Sequence, residues 1–215
     1  MTTPNLIEDR LRESARAFSA DPPPVAEAAT AAGLLDVAYA TLDTPVGTLL
    51  LAATPGGLVR LAYAGADQQD TLLADLAARI SPRVLAAPRR LDEPRRELDE
   101  YFRGARRRFE IELDWRLLSA FGRRVLRATA AIPYGSVSTY TEVAREAGSP
   151  RGARAAGNAL GANPLPIVLP CHRVLHAGGG LGGYTGGLEH KRTLLAIEAG
   201  QFPLRPKGDA SPQGG

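Results

Sequence analysis

The stretch Ile132–Val174, "IPYGSVSTYTEVAREAGSPRGARAAGNALGANPLPIVLPCHRV", decides how the second half of this 215-residue chain folds. Thr139 and Glu142 stand three residues apart, the spacing of a capping box, in which hydroxyl and carboxylate satisfy the free N–H groups at a helix start. Gly148 suits the left-handed position that ends such a helix. Ser149 and Pro150 then read as the N-cap and first residue of a second helix, "PRGARAAGNALG". Two helices joined by so short a turn form a helix-turn-helix.

The second of these helices is nearly bare. Gly152, Ala153, Ala155, Ala156, Gly157 and Ala159 leave backbone exposed, and Arg151 and Arg154 project from it. Glycine costs ~1 kcal/mol against alanine inside a helix, so two of them need a reason. One reason is tight packing on a neighbouring helix. The other is close approach to a nucleic-acid groove, where a long arginine can reach the base stack.

Downstream lies "LPCHRVLHAGGGLGGYTGG", Leu169–Gly187, with Cys171, the only cysteine, and two of the three histidines, His172 and His176. A lone cysteine is ordinarily a small buried hydrophobe. Here Pro170 precedes it and His172 and Arg173 follow, and positive charge at that position is expected to lower the thiol pKa and favour the nucleophilic thiolate. His172 is the candidate base, and Glu198, in "LEHKRTLLAIEAG", the candidate acid that orients it. A Cys–His–acid set is shared by several hydrolase classes.

Upstream, residues 34–114 read as a scaffold without histidine or cysteine. "DVAYATLDTPVGTLLLAATPGGLVRLAYAG" has three apolar runs parted by turns at Thr44–Gly47 and Pro55–Gly57, the pattern of an antiparallel meander. Helical spacing follows over Asp67–Ile80, and Pro94 suits the start of another helix ending near Gly104. "RFEIELD" alternates as a strand should. Residues 1–33 are an extension: Ile7, Leu11, Ala15 and Phe18 share a helical stripe, and "DPPPVAEAATAAG" reads as a linker.

Charge is unevenly placed. Residues 1–114 hold 14 Lys and Arg against 18 Asp and Glu, and residues 115–215 hold 12 against 5. A basic C-terminal half suits a polyanionic partner, although an arginine-rich composition also produces merely solvated charges. One cysteine excludes an intramolecular disulfide and the usual structural zinc site. No apolar run approaches the ~20 residues of a membrane helix, and the start carries no signal-peptide segment, so a cytoplasmic protein with no membrane contact is expected.

The span from "IPYGSVSTY" through "LPCHRV" to "GGYTGGLEHKRTLLAIE" resembles the O6-alkylguanine-DNA alkyltransferases, and "TPVGTLLLAATPGGLVRLAYAG" is similar, more weakly, to their small N-terminal domain. The resemblance covers roughly residues 36–200. It implies an α+β fold: a ribonuclease-H-like domain of antiparallel sheet plus helices over 34–114, and a helical domain with a winged-helix-like helix-turn-helix over 115–200. A disordered tail over 201–215 is expected. By the same resemblance Cys171 is the alkyl acceptor, His172 its water-linked base, Glu198 the orienting acid and Asn163 the brace of the preceding turn. Tyr140 contacts the rotated nucleotide and helps protonate guanine N3. Arg154 fills the gap left by the flipped base, with Arg151, Ala153 and Gly157 on the same DNA-facing helix. Tyr184 and Thr185 form a lid, the Thr185 N–H meeting O6. The carbonyls of Cys171 and Val174 receive the exocyclic amine. Leu160 and Thr193 occupy positions that tune alkyl size.

What this implies is direct-reversal repair: irreversible, single-turnover transfer of an alkyl group from O6-alkylguanine, and O4-alkylthymine less well, in double-stranded DNA to Cys171. The protein would act as a monomer with no cofactor and no metal; some relatives hold zinc in the N-terminal domain, which one cysteine cannot reproduce. Three other readings compete. A non-catalytic lesion sensor carries another residue in place of the motif cysteine. A cysteine hydrolase leaves Arg154 and the helix-turn-helix without a role. A methylation-activated regulator needs a further domain.

Overall fold

The three apolar runs of the first half form β1 (Val37–Thr44), β2 (Gly47–Thr54) and β3 (Gly57–Tyr63), joined by tight turns into the expected antiparallel meander. The structure is a computed structural model that describes residues 25–65 and 68–201. The stripe Ile7–Phe18 and the tail beyond Gln201 lie outside the described residues. Residues up to Leu35 form one unit and those from Asp36 another. The first contains helix α1 (Val25–Ala31), where a linker was expected. Its alanines are strong helix formers, a preference obscured by the prolines that precede them.

Helix α2 (Gln69–Arg79) returns the chain to β4 (Val84–Ala86), which the sequence pattern did not reveal and which pairs parallel to β1, giving the order β3-β2-β1-β4. Both faces of β2 are covered. Leu50 and Ala52 meet Val37, Val59 and Leu76 of α2 on one side. Leu49 and Leu51 meet Leu91 and the stripe Leu98, Tyr101 and Phe102 of α3 (Asp92–Phe102) on the other. That second cluster continues through Val125, Leu126, Ala144, Leu160, Ile167, Leu194 and Ile197, so one core runs into the helical half.

"RFEIELD" is not a strand. Phe109, Ile111 and Leu113 do pack on the core, as their alternation requires, but only Leu113 makes a β-bridge, with Leu58. The Glu110 N–H is taken by the Glu97 carboxylate at 2.9 Å. The outer edge of β3 is shared: Leu58 bonds to Glu112, while the Leu61 N–H donates to the Pro164 carbonyl at 2.8 Å. The edge strand thus holds the chain just before the segment that carries Cys171.

In the helical half, α4 (Ala120–Ala130) is capped by the Ser119 hydroxyl. Helix α5 (Tyr140–Glu146) has the full capping box between Thr139 and Glu142. Its end is a Schellman motif: Gly148, at φ +77°, donates to the Arg145 carbonyl, and the Ser149 N–H donates to that of Ala144. Ser149 does not cap the next helix, whose N-cap is Gly152 without a side-chain cap bond. A turn over Ser149–Gly152 intervenes, and α6 (Ala153–Gly161) starts three residues later than the sequence suggested, which leaves Arg151 in the turn. Strands β5 (Ser138–Thr139) and β6 (Val174–Leu175) pair in parallel, and α7 (Leu188–Glu198) closes the fold. Among the described residues no helix is long and apolar enough to cross a membrane.

Thr139→Ala removes one cap from an exposed helix end and is expected to cost about 1 kcal/mol in urea unfolding. Leu126→Ala opens the core shared by both halves and is expected to cost about 2–5 kcal/mol. Equal losses would contradict the placement of these two side chains.

Candidate active site

The segment that carries Cys171 is bent by two consecutive three-residue turns. The Val168 N–H donates to Pro166 at 2.9 Å, around Ile167 at φ +74°, and the Cys171 N–H donates to Leu169 at 2.8 Å, around Pro170 at φ −79°, ψ 63°. Positive φ is costly for a β-branched residue, so the surroundings must impose it. Asn163 does this. Its Oδ1 accepts from the Leu165 N–H at 2.9 Å, and its Nδ2 donates to the Leu169 carbonyl at 2.8 Å and to Cys171 Sγ at 3.2 Å. Cys171 itself lies in a single 3-10 turn, Cys171–Arg173, just before β6.

Behind that turn the Glu198 carboxylate gathers donors. His172 Nε2 lies 2.8 Å from Oε1, the Tyr101 hydroxyl donates at 2.9 Å, the Gly135 N–H at 3.0 Å, and the Arg173 guanidinium grips both oxygens at 2.9 Å. Burial opposes ionisation of Glu198, yet the hydrogen bonds from His172 and Arg173 outweigh it and hold the carboxyl down at about 2. Burial also lowers the pKa of His172, against the pull of Glu198, so its imidazole is neutral. A carboxylate only accepts, so the imidazole proton sits on Nε2 and Nδ1 carries the lone pair. Nδ1 is buried and has no hydrogen-bond partner among the described residues.

The thiol does not behave as its neighbours in sequence suggest. Burial pushes Cys171 up to about 11, and the Asn163 hydrogen bond and the Lys191 charge only partly oppose this. Arg173 is no help, because its guanidinium is spent on Glu198 and on the Ile132 carbonyl, 2.6 Å away. The expected lowering is therefore reversed.

Cys171 lies at the wall of a cavity of about 770 Å³, with Tyr140, Ala153, Arg154, Gly157 and Leu160 on the helix-turn-helix side and Tyr184 and Thr185 on the loop side. Arg154 is exposed. The Thr185 hydroxyl donates to the Gly161 carbonyl at the end of α6 at 3.2 Å, joining the two sides. The glycine loop approaches closely: a Cβ on Gly182 would lie 2.5 Å from the Tyr140 hydroxyl. Asn163, His172 and Glu198 stand behind the wall. Arg151 and Thr193 are not at it, and the Thr193 hydroxyl is turned onto the Glu189 carbonyl of its own helix. Val174 is buried, and its carbonyl accepts from Lys191 Nζ at 2.6 Å.

Two family models match this chain: the ribonuclease-like domain of 6-O-methylguanine DNA methyltransferase over residues 37–115, and the DNA binding domain of the same protein over residues 120–200. The chain belongs to the 6-O-methylguanine DNA methyltransferase family. It is 41% identical to a methylated-DNA–protein-cysteine methyltransferase of Mycolicibacterium paratuberculosis, over 78% of this chain and 95% of that one. It is 35% identical to the constitutive enzyme of that name from Bacillus subtilis, over 74% and 94%. The crystal structure of Mycobacterium tuberculosis OGT in complex with DNA matches with a TM-score of 0.65 at 35% identity, over 77% of this chain and 95% of that one.

For a methyltransferase of this family, sequence reading missed three side chains around the site. Lys191 is fully buried and ties the Val174 carbonyl to that of Leu181 in the glycine loop. Its signal was its place on the buried stripe of α7, with Leu194 and Glu198. Tyr101 shares the buried stripe of α3 with Leu98. Tyr63, at the end of β3, reaches the Tyr184 hydroxyl at 2.8 Å.

A thiol held near 11 is almost wholly protonated at neutral pH, and its thiolate fraction grows only as pH rises toward that value. Alkylation of the DNA-free protein by iodoacetamide is therefore expected to be slow at pH 7 and to climb without a plateau through pH 9, followed by mass spectrometry. A plateau reached by pH 7 would contradict the buried setting.

Proposed function

We infer that this chain repairs DNA by direct reversal, as a methylated-DNA–protein-cysteine methyltransferase that moves a methyl or larger alkyl group from guanine O6 to Cys171. The observation that carries this is one cysteine on the wall of a cavity between a bare helix α6 and a glycine loop, with the His172–Glu198 pair behind it. Residues 34–114 serve as the ribonuclease-like scaffold, and residues 115–200 bind DNA and carry the acceptor.

A duplex hides the alkylated oxygen, so the guanine must leave the stack at a cost of a few kcal/mol. Arg154, exposed at the rim, takes its place and offsets part of that cost. The nearly bare face of α6, with Ala153 and Gly157, lets the backbone approach the groove, and Arg151 adds charge beside it. The base enters the cavity under Tyr184 and Thr185, with the Thr185 N–H to O6 and the carbonyls of Cys171 and Val174 to the exocyclic amine. Leu160 bounds the space left for the alkyl group.

The thiol proton passes to His172 Nδ1 through a water, and Glu198 stabilises the imidazolium that forms. The Sγ–C bond forms as the C–O6 bond breaks, and the electron pair flows into the guanine ring. Burial raises the Tyr140 pKa, so its hydroxyl is protonated at rest. It passes that proton to guanine N3 as the bond breaks, neutral guanine departs, and the proton held by the His172 imidazolium returns to the Tyr140 phenolate through water. The thioether is stable, so each molecule acts once, as a monomer and without a cofactor.

The test is intact mass after mixing with a duplex bearing one O6-methylguanine. One methyl on Cys171, stoichiometric and without turnover, is expected, and Cys171→Ser should bind the duplex without an adduct. Tight lesion binding by the parent chain with no adduct would instead make it a sensor. Arg154→Ala should slow repair in duplex about tenfold or more while leaving transfer from free O6-benzylguanine nearly unchanged. Equal losses would remove the finger role.

A further inference from the structure

The roof of the cavity is fastened by a residue from the other half of the chain. Tyr63 ends β3, and its hydroxyl lies 2.8 Å from that of Tyr184, 121 positions later. Its ring stacks flat on His190 in the first turn of α7, centroids 4.5 Å apart and planes 11° apart. It meets Tyr184 edge-on at 6.0 Å. The loop between these contacts lies directly on the ring: a Cβ on Gly186 would come within 2.3 Å of it. Tyr184, held in this way, stands edge-on to His172 at 6.4 Å and lines the cavity with Cys171.

We infer that Tyr63 is a positioning residue for alkyl transfer, clamping the segment Tyr184–Gly187 closed over the base pocket from the ribonuclease-like half. This rests on reading Tyr184 as the lid. The contacts fall on Tyr184 at the start of this segment, on Gly186 within it and on His190 in the first turn of α7, which continues it. A lid must be closed when the thiol attacks, so the observed rate scales with the closed fraction, and anything that favours closure raises the rate without touching the guanine. The N-terminal half then sets how fast the reaction runs, although among the described residues none of its side chains reaches the cavity wall.

Tyr63→Phe keeps the ring, its stack on His190 and its contact with Gly186, and removes only the hydroxyl. Single-turnover transfer from an O6-methylguanine duplex, measured against protein concentration, separates the maximal rate from the half-saturation point. The maximal rate is expected to fall by at most about fivefold, the size of one net hydrogen bond, with half-saturation unchanged. Tyr184→Phe should show the same loss, and the double variant should be no slower than either, because both delete one bond. A parental rate for Tyr63→Phe beside a slowed Tyr184→Phe overturns the clamp and leaves the lid. Parental rates for both overturn the lid reading as well. Additive losses in the double variant, or a loss confined to half-saturation, also overturn the clamp.

Discussion

The carboxylate of Glu198 is the point at which both halves of the chain and the Cys171 segment meet. It accepts from Tyr101 in the ribonuclease-like half, from the Gly135 backbone ahead of the helix-turn-helix, and from His172 and Arg173 beside the thiol. A buried carboxylate is tolerable only when its lone pairs are taken, and losing one ionic partner from such a group costs about 3–5 kcal/mol. The interaction proposed to orient the base is therefore also one that holds the fold together. Arg173, whose guanidinium forks onto both oxygens, neutralises the charge so that His172 need not. That division leaves the imidazole free to take up a proton.

The site works against the thiol at rest. An apolar setting suits an alkyl group and an extruded base, but it raises the thiol to about 11. A cysteine that is mostly protonated is protected from adventitious oxidation and alkylation, which matters for a protein that reacts once. In the proposed reaction that proton must be removed, and His172 Nδ1, buried and without a partner among the described residues, is the place proposed for it. The strained turn at Ile167, imposed by Asn163, aims the sulfur along the same wall.

Much of this was legible in the sequence where the signal was local. The capping box at Thr139 and Glu142 and the helix end at Gly148 are patterns completed within a few residues, and both are found as read. The start of α6 is shifted because the Ser149 carbonyl closes a turn onto the Gly152 N–H, and helix resumes only at Ala153. "RFEIELD" was misread because alternation reports burial and not pairing. The thiol was misread because adjacency in sequence is not adjacency in space: Arg173 follows Cys171 by two residues but directs its charge to Glu198. Tyr63 was silent because its partner is a loop 121 residues away, and Lys191 showed only its place on the buried stripe of α7, since its partners are backbone carbonyls.

The central claim is that Glu198 holds His172 as a neutral base with its lone pair on Nδ1. Nitrogen-15 NMR of the histidine-labelled, DNA-free protein at pH 7 reads this directly. His172 is expected to be neutral, with its proton on Nε2, and to remain so as pH falls below the ordinary histidine value of 6.5. An imidazolium at pH 7, or a neutral ring with its proton on Nδ1, would contradict the account.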